Sequence, residues 1–182
     1  MQNAYALVFK ALAFAAQKHR NQRRKSGEQE PFINHPIALA NCLANEGAID
    51  DADILCAAIL HDTIEDTDTT AEELREIFGD TITELVLEVS DDKALDYAER
   101  KRLQIEHAPQ SSHKAKQIKL ADKICNMRDI VASPPPAWNA ERRRAYCEWS
   151  KQVVDGIRDA NAALAEKFDE IYAERLRPEL GY

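Results

Sequence analysis

Apolar residues recur at helical spacing along almost the whole chain. Leu7, Val8, Leu12, Phe14 and Ala15 keep that spacing over residues 4–19. A polar loop containing Gly27 and Pro31 follows. Pro36 suits the first turn of a second helix, 36–45, which stops near Gly47. Asp50 or Asp51 can cap a third helix carrying Ile54, Leu55, Ala58 and Ile59. Thr70 with Glu73 makes a capping-box pattern for a short fourth helix, and Gly79 ends it. Further helices are predicted at about 80–90, 97–107, 112–131 and 138–176, with "SPPP" at 133–136 as an enforced break. No stretch alternates at period two. The pattern predicts an all-α helical bundle in a single domain, 1–182 with its core at about 4–176, without internal repeat or linker.

Composition narrows the function classes. Hydrophobic residues make up 45% and charged residues 31%, the balance of a soluble globular chain. No apolar run reaches the ~20 residues of a membrane span, and Lys10 interrupts the only signal-like start. The net charge of −8 makes the surface a poor partner for nucleic acid or anionic membrane. Cys42, Cys56, Cys125 and Cys147 are scattered, with no CxxC spacing, and read as buried free thiols of a cytoplasmic protein. One local patch opposes the acidic balance: "KHRNQRRK", Lys18 to Lys25. It reads either as a solvated helix end or as a clamp for a phosphorylated small molecule.

The candidate chemistry lies in "AAILHDTIEDTDTT", residues 57–70, where an apolar helix runs into His61, Asp62, Glu65 and Asp66. Glu65 follows His61 by four residues and Asp66 follows Asp62 by four, so each pair shares a face if the helical turn continues. Carboxylates crowded in this way repel, and a divalent cation would relieve the repulsion. His35 in "PFINHPIA" and Asp122 in "IKLADKICNMRD" are candidates to complete a ligand set. Asp122 is flanked by Leu120, Ala121 and Ile124, and buried carboxylates are normally paired or metal-bound. Two imidazoles and two carboxylates suit Mn, Fe, Co or Zn. The same residues have plainer roles: His35 as a local hydrogen-bonding group, Asp122 as a partner of Lys119 or Lys123. Spacing alone leaves both readings open.

Several segments together carry a resemblance. "HP" at 35–36, "HDTIEDT" at 61–67, "KLADKICNMRDI" at 119–130, "RRK" at 23–25, "DDK" at 91–93 and "ERKRLQ" at 99–104 resemble the HD-type hydrolase domain of the RelA/SpoT family. The likeness covers nearly the whole chain, and the chain is too short for that family's synthetase domain. Ala108–Ser112, Trp138, Tyr146 and Glu148–Trp149 have places similar to those in small alarmone hydrolases of the metazoan SpoT-homologue type. The resemblance implies an HD-type bundle holding Mn²⁺, one ion per chain, on His35, His61, Asp62 and Asp122. It implies Glu65 and Asp66 as the pair that activates the attacking water. Arg23, Arg24, Lys25, Asn126, Trp138 and Tyr146 are the implied substrate contacts, Trp138 and Tyr146 being equally readable as core aromatics. Cys125 departs from the Tyr often found at its position, which bears on the details of ligand contact.

The implied reaction removes the 3′-pyrophosphate of guanosine 3′,5′-bispyrophosphate (ppGpp) or its pentaphosphate relative (pppGpp), leaving GDP or GTP. Competing readings are an NADPH 2′-phosphatase or another HD-type nucleotide phosphohydrolase, a non-catalytic nucleotide sensor, and a helical scaffold without metal. Sensors typically lose the HD or ED residues, whereas this chain keeps both pairs. The sequence leaves homo-oligomerisation and the choice among ppGpp, pppGpp and NADPH open.

Overall fold

The computed structural model describes residues 3–26 and 28–174. Gly27 and the predicted end of the last helix at 175–176 lie outside these residues. Ten α-helices account for most of the described chain: α1 Ala4–Lys18, α2 Asn34–Asn41, α3 Ala52–Leu60, α4 Thr63–Asp66, α5 Ala71–Phe78, α6 Asp80–Val89, α7 Tyr97–His107, α8 His113–Ala132, α9 Ala140–Asp155 and α10 Ala162–Glu174. A π-helical turn, Cys42–Glu46, prolongs α2, and short 3₁₀ turns follow α7 and α9. Among the described residues there is no strand, only an isolated antiparallel bridge between Arg23 and Pro31. The all-α reading of the sequence holds.

Local chemistry sets most boundaries. Asp51 caps α3 by accepting from the Asp53 amide at 2.9 Å. Thr70 caps α5 by accepting from the Glu73 amide at 3.1 Å. The Glu73 side chain does not close the capping box; it turns to Lys18 at 3.0 Å. Gly79 ends α5 at φ 83° and ψ 172°, a conformation open essentially to glycine alone.

The predicted helix over 138–176 is two helices. Gly156 stops α9, and a Cβ there would come within 2.8 Å of Pro109 Cγ. Asn161 then starts α10 by accepting from the Leu164 amide at 3.1 Å, while its own amide group donates to the Gly47 carbonyl at 2.9 Å. The break is thus held by distant segments as well as by its own cap.

Helix α8 is the axis of the bundle. It packs against α2, α3, α6, α9 and α10. Ten of its residues are buried, including Ile118, Leu120, Ala121, Ile124 and Met127, so the helix is enclosed nearly all round. Asp122 is carried on this enclosed helix. Helix α3 is apolar, with Ile54 and Cys56 to Leu60 buried and Leu55 partly so, and delivers His61 from the core outward. All four cysteines are buried free thiols, as expected.

Candidate active site

The chain bends where α3 ends. The Thr63 hydroxyl donates to the Leu60 carbonyl at 2.6 Å, closing α3 and opening the short helix α4. His61 and Asp62 sit in the bend, and Asp66 still donates its amide to the Asp62 carbonyl at 2.9 Å. The helical turn therefore persists through the acidic cluster. The bend leaves His61 buried while Glu65 and Asp66 face a cavity of about 480 Å³.

Three distant segments meet at the floor of that cavity. Donor atoms of His35, His61 and Asp62 lie within 4.8 Å of one another. An Asp122 carboxylate oxygen sits 3.2 Å from His35 Nε2 and 4.0 Å from His61 Nε2, and Asp62 is 3.0 Å from His61 Nε2. His61 Nδ1 faces the Ala58 carbonyl at 2.8 Å, which fixes the ring and directs Nε2 toward the carboxylates. His35 Nδ1 is buried without a hydrogen-bond partner, and the ring is oriented by its edge contacts with Phe32 and His61.

The electrostatics follow from this crowding. Burial works against a charged His61, but the Asp62 and Asp122 carboxylates overcome it and raise its affinity for a proton. Burial likewise opposes ionised Asp122, yet Lys123, His35 and His61 hold it well below the usual carboxylate range. Two ionised carboxylates against two imidazoles call for positive charge, from a proton on His61 or from a bound cation. A divalent cation supplies it, and the mixed nitrogen and oxygen donors suit one. The donor set fits a divalent metal.

Asp122 makes the plainer contacts as well. Its oxygens accept from Lys123 at 3.0 Å and from the Asn126 amide at 2.7 Å. Of the plainer roles left open by spacing, the partnership of Asp122 with a lysine is realised, with Lys123 and not Lys119.

Comparison with known proteins places the chain. The HD domain family matches residues 11–149. The chain belongs to the HD-domain family. It is 52% identical to the guanosine-3′,5′-bis(diphosphate) 3′-pyrophosphohydrolase MESH1 of Danio rerio, covering 93% of this chain and 94% of the relative. It is 48% identical to MESH1 of Homo sapiens, covering 96% and 98%. A solved structure described as a metazoan ortholog of SpoT that hydrolyzes ppGpp superposes with a TM-score of 0.91 at 48% identity, covering 94% of this chain and 96% of that one.

Around the HD pair of this family member, one short segment holds both of the following carboxylates. Glu65 Oε1 accepts from the Asp91 amide at 2.7 Å, and Asp66 is ion-paired with Lys93. The segment is itself tied down: Gln104 on α7 donates to the Asp91 carboxylate at 2.6 Å, and Lys119 donates to the Val89 carbonyl at 3.3 Å. Burial pushes the Glu65 carboxyl up to about 7; the Asp91 amide opposes the rise, while the charges of Asp62 and Asp91 add to it. Gln22 donates to Asp66 at 3.2 Å from the other side.

The basic stretch 18–25 divides. Lys18 pairs with Asp68 and Glu73, each at 3.0 Å, and is not a free solvated end. His19 is buried against Phe32, with Nδ1 2.6 Å from Gln22 Oε1. Arg23, Arg24 and Lys25 line the cavity. Arg23 is bound to the carbonyls of Arg20 and Gln22, Arg24 donates to Asn126 at 3.0 Å and pairs with Asp129, and Lys25 is exposed. Trp138 and Tyr146 also line it, ring centres 5.5 Å apart, and both also pack against the core. Lys101, Lys119, Lys123, Asp91 and Gln104 line the cavity too; of these, sequence had given a role only to Lys119 or Lys123, as a partner of Asp122. "DDK" and "ERKRLQ" had marked Asp91, Lys101 and Gln104 as part of the resemblance; only the fold shows that they line the same cavity as the acidic pair.

Proposed function

We propose that this protein is a (p)ppGpp 3′-pyrophosphohydrolase. The observation that carries the reading is the cluster of His35, His61 and Asp62, with Asp122 3.2 Å from His35, in a cavity that also presents Glu65 and a cationic rim. The names of its relatives in fish and human point to the same substrate.

His35, His61, Asp62 and Asp122 would hold the metal, which we take as Mn²⁺. When bound it would offset negative charge building on the phosphoryl oxygens. Glu65 has one oxygen engaged by the Asp91 amide and the other available to take a proton from the attacking water. Asp66, fixed between Lys93 and Gln22, orients that water. Arg24 and Asn126 hold each other and offer a preformed polar face toward the ribose. Lys25 and Arg23 meet phosphate at the rim, and Trp138 and Tyr146 give a flat apolar wall for guanine. Water attacks the phosphorus bonded to the 3′ oxygen; that P–O bond breaks, giving GDP or GTP and pyrophosphate.

Purified protein loaded with Mn²⁺ and offered ppGpp, pppGpp, NADPH and deoxynucleoside triphosphates tests this reading. Pyrophosphate released from ppGpp or pppGpp, and lost after chelation, is the expected result. Orthophosphate from NADPH without pyrophosphate from ppGpp overturns it.

A further inference from the structure

Among the described residues, most buried or half-buried cations have an acidic partner. Lys18 pairs with Glu73, Lys114 with Asp51 at 2.6 Å, and Arg128 with Glu46 at 2.7 Å. Lys123, the most buried lysine of the cavity wall, pairs with Asp122 at 3.0 Å. Two partly buried lysines of the same cavity break this pattern. Among the described residues, neither Lys101 on α7 nor Lys119 on α8 forms an ion pair. Lys25 also lacks one, but it is exposed, so water can meet its charge.

Lys101 is held by aromatic rings instead. Its ammonium lies 4.5 Å from the Tyr146 ring centre and 5.4 Å from that of Tyr97, and it packs over Trp149. The rings fix the side chain and return part of the lost hydration, but they accept no hydrogen bond as a carboxylate would. Lys119 reaches a single carbonyl, that of Val89, with one of its three N–H groups. Burial first, and then the nearby Lys123, push the Lys101 ammonium down to about 6, and the same two causes lower Lys119. Burial makes both ammonium groups ready to shed their protons, and an anion arriving between them would restore the charge.

Their surroundings say which anion. The carboxylates nearest in effect to both are Asp91 and Asp122, and for Lys119 also Glu65. Asp122 and Glu65 are the groups given roles in the proposed reaction, and the Asp91 amide holds Glu65. We propose that Lys101 and Lys119 are the counter-ions of the substrate's 3′-diphosphate and hold the pyrophosphate group as it is cleaved. The proposal rests on the substrate reading above. Lysine suits this role because a compact ammonium can follow an oxyanion that moves during reaction, where a guanidinium fork would fix one geometry.

Inorganic pyrophosphate, titrated by calorimetry into the Mn²⁺-loaded protein, is the probe. Lys101→Met and Lys119→Met should each weaken its binding by roughly tenfold or more, while affinity for GDP stays as in the wild type. In the unmutated protein, the lysine side-chain NMR signals of both residues should shift on adding pyrophosphate, a measurement that needs no variant to fold. Pyrophosphate affinity unchanged in both variants, or unmoved lysine signals, overturns the proposal. If the wild type degrades ppGpp under those outcomes, the reaction stands and only the two lysines are removed. If the variants lose pyrophosphate affinity but the wild type does not attack ppGpp, the anion site stands and the substrate reading falls.

Discussion

Glu65 is the residue at which burial and chemistry meet. Its carboxyl, pushed up to about 7, must be ionised to accept a proton, so turnover should rise with pH and level off above that value. A bound cation nearby can only move the rise to lower pH. Glu65→Gln with Asp66→Asn should cost about 10²–10⁴-fold in kcat and abolish that rise, with Mn²⁺ stoichiometry unchanged by metal analysis. The same shift has a stability sign. Because the folded value lies above the ordinary 4.5, the stabilising contribution is complete below about 4.5 and is lost as pH rises through about 7. Metal-free Glu65→Gln should therefore melt roughly 2–8 °C above the wild type at pH 8, the gap closing toward pH 5. Asp122→Ala makes the contrasting prediction. It removes a carboxylate that faces both imidazoles, so metal content should fall along with activity. Retained stoichiometry would take Asp122 out of the ligand set. At this scale the sequence was readable where residues are close in the chain: His61, Asp62, Glu65 and Asp66 declare themselves within six positions. Lys101 did not, because a lysine in a charged helix carries no mark of the aromatic rings that will strip its water.

At the scale of elements, the segment between α6 and α7 acts as a strap. One amide and one ammonium from Asp91 and Lys93 fix Glu65 and Asp66, and Gln104 ties the strap to α7. Gln104→Leu should loosen it. Losing a bond to a charged group of about 1.5–3 kcal/mol predicts a fall of roughly tenfold or more in kcat, with KM and metal content held. Equal changes in kcat and metal content would mean the strap serves the fold and not the acidic pair. The starts of α3 and α5 were legible because caps are local: Asp51 and Thr70 each accept from an amide two or three residues on, as Ser112 and Asn139 also do at α8 and α9. The split between α9 and α10 was missed. Its signals, Gly156 and Asn161, are weak alone and gain force only from Pro109 and Gly47 packed beside them.

Across the whole molecule, α10 packs against α8 without contributing to the cavity. Phe168 on α10 is fully buried, and no residue of α10 lines the cavity. Phe168→Ala should cost about 3–5 kcal/mol, seen as a lower denaturation midpoint, while the folded fraction keeps its kcat and KM. Loss of turnover in the folded fraction would show that α10 positions the site through α8. The sequence by itself determined the helical class, the caps at Asp51 and Thr70, the HD pair with its acidic followers, and a family resemblance that pointed to His35 and Asp122 as further candidate ligands. These depend on periodicity and on neighbours a few residues apart, which the chain order states directly. Only the tertiary structure decided that His35 and Asp122 reach His61, that Asp91 and Lys93 restrain the acidic pair, and that Lys101 and Lys119 line the cavity without a counter-charge. Those facts depend on which surfaces are removed from water when distant helices pack, and no local pattern records that.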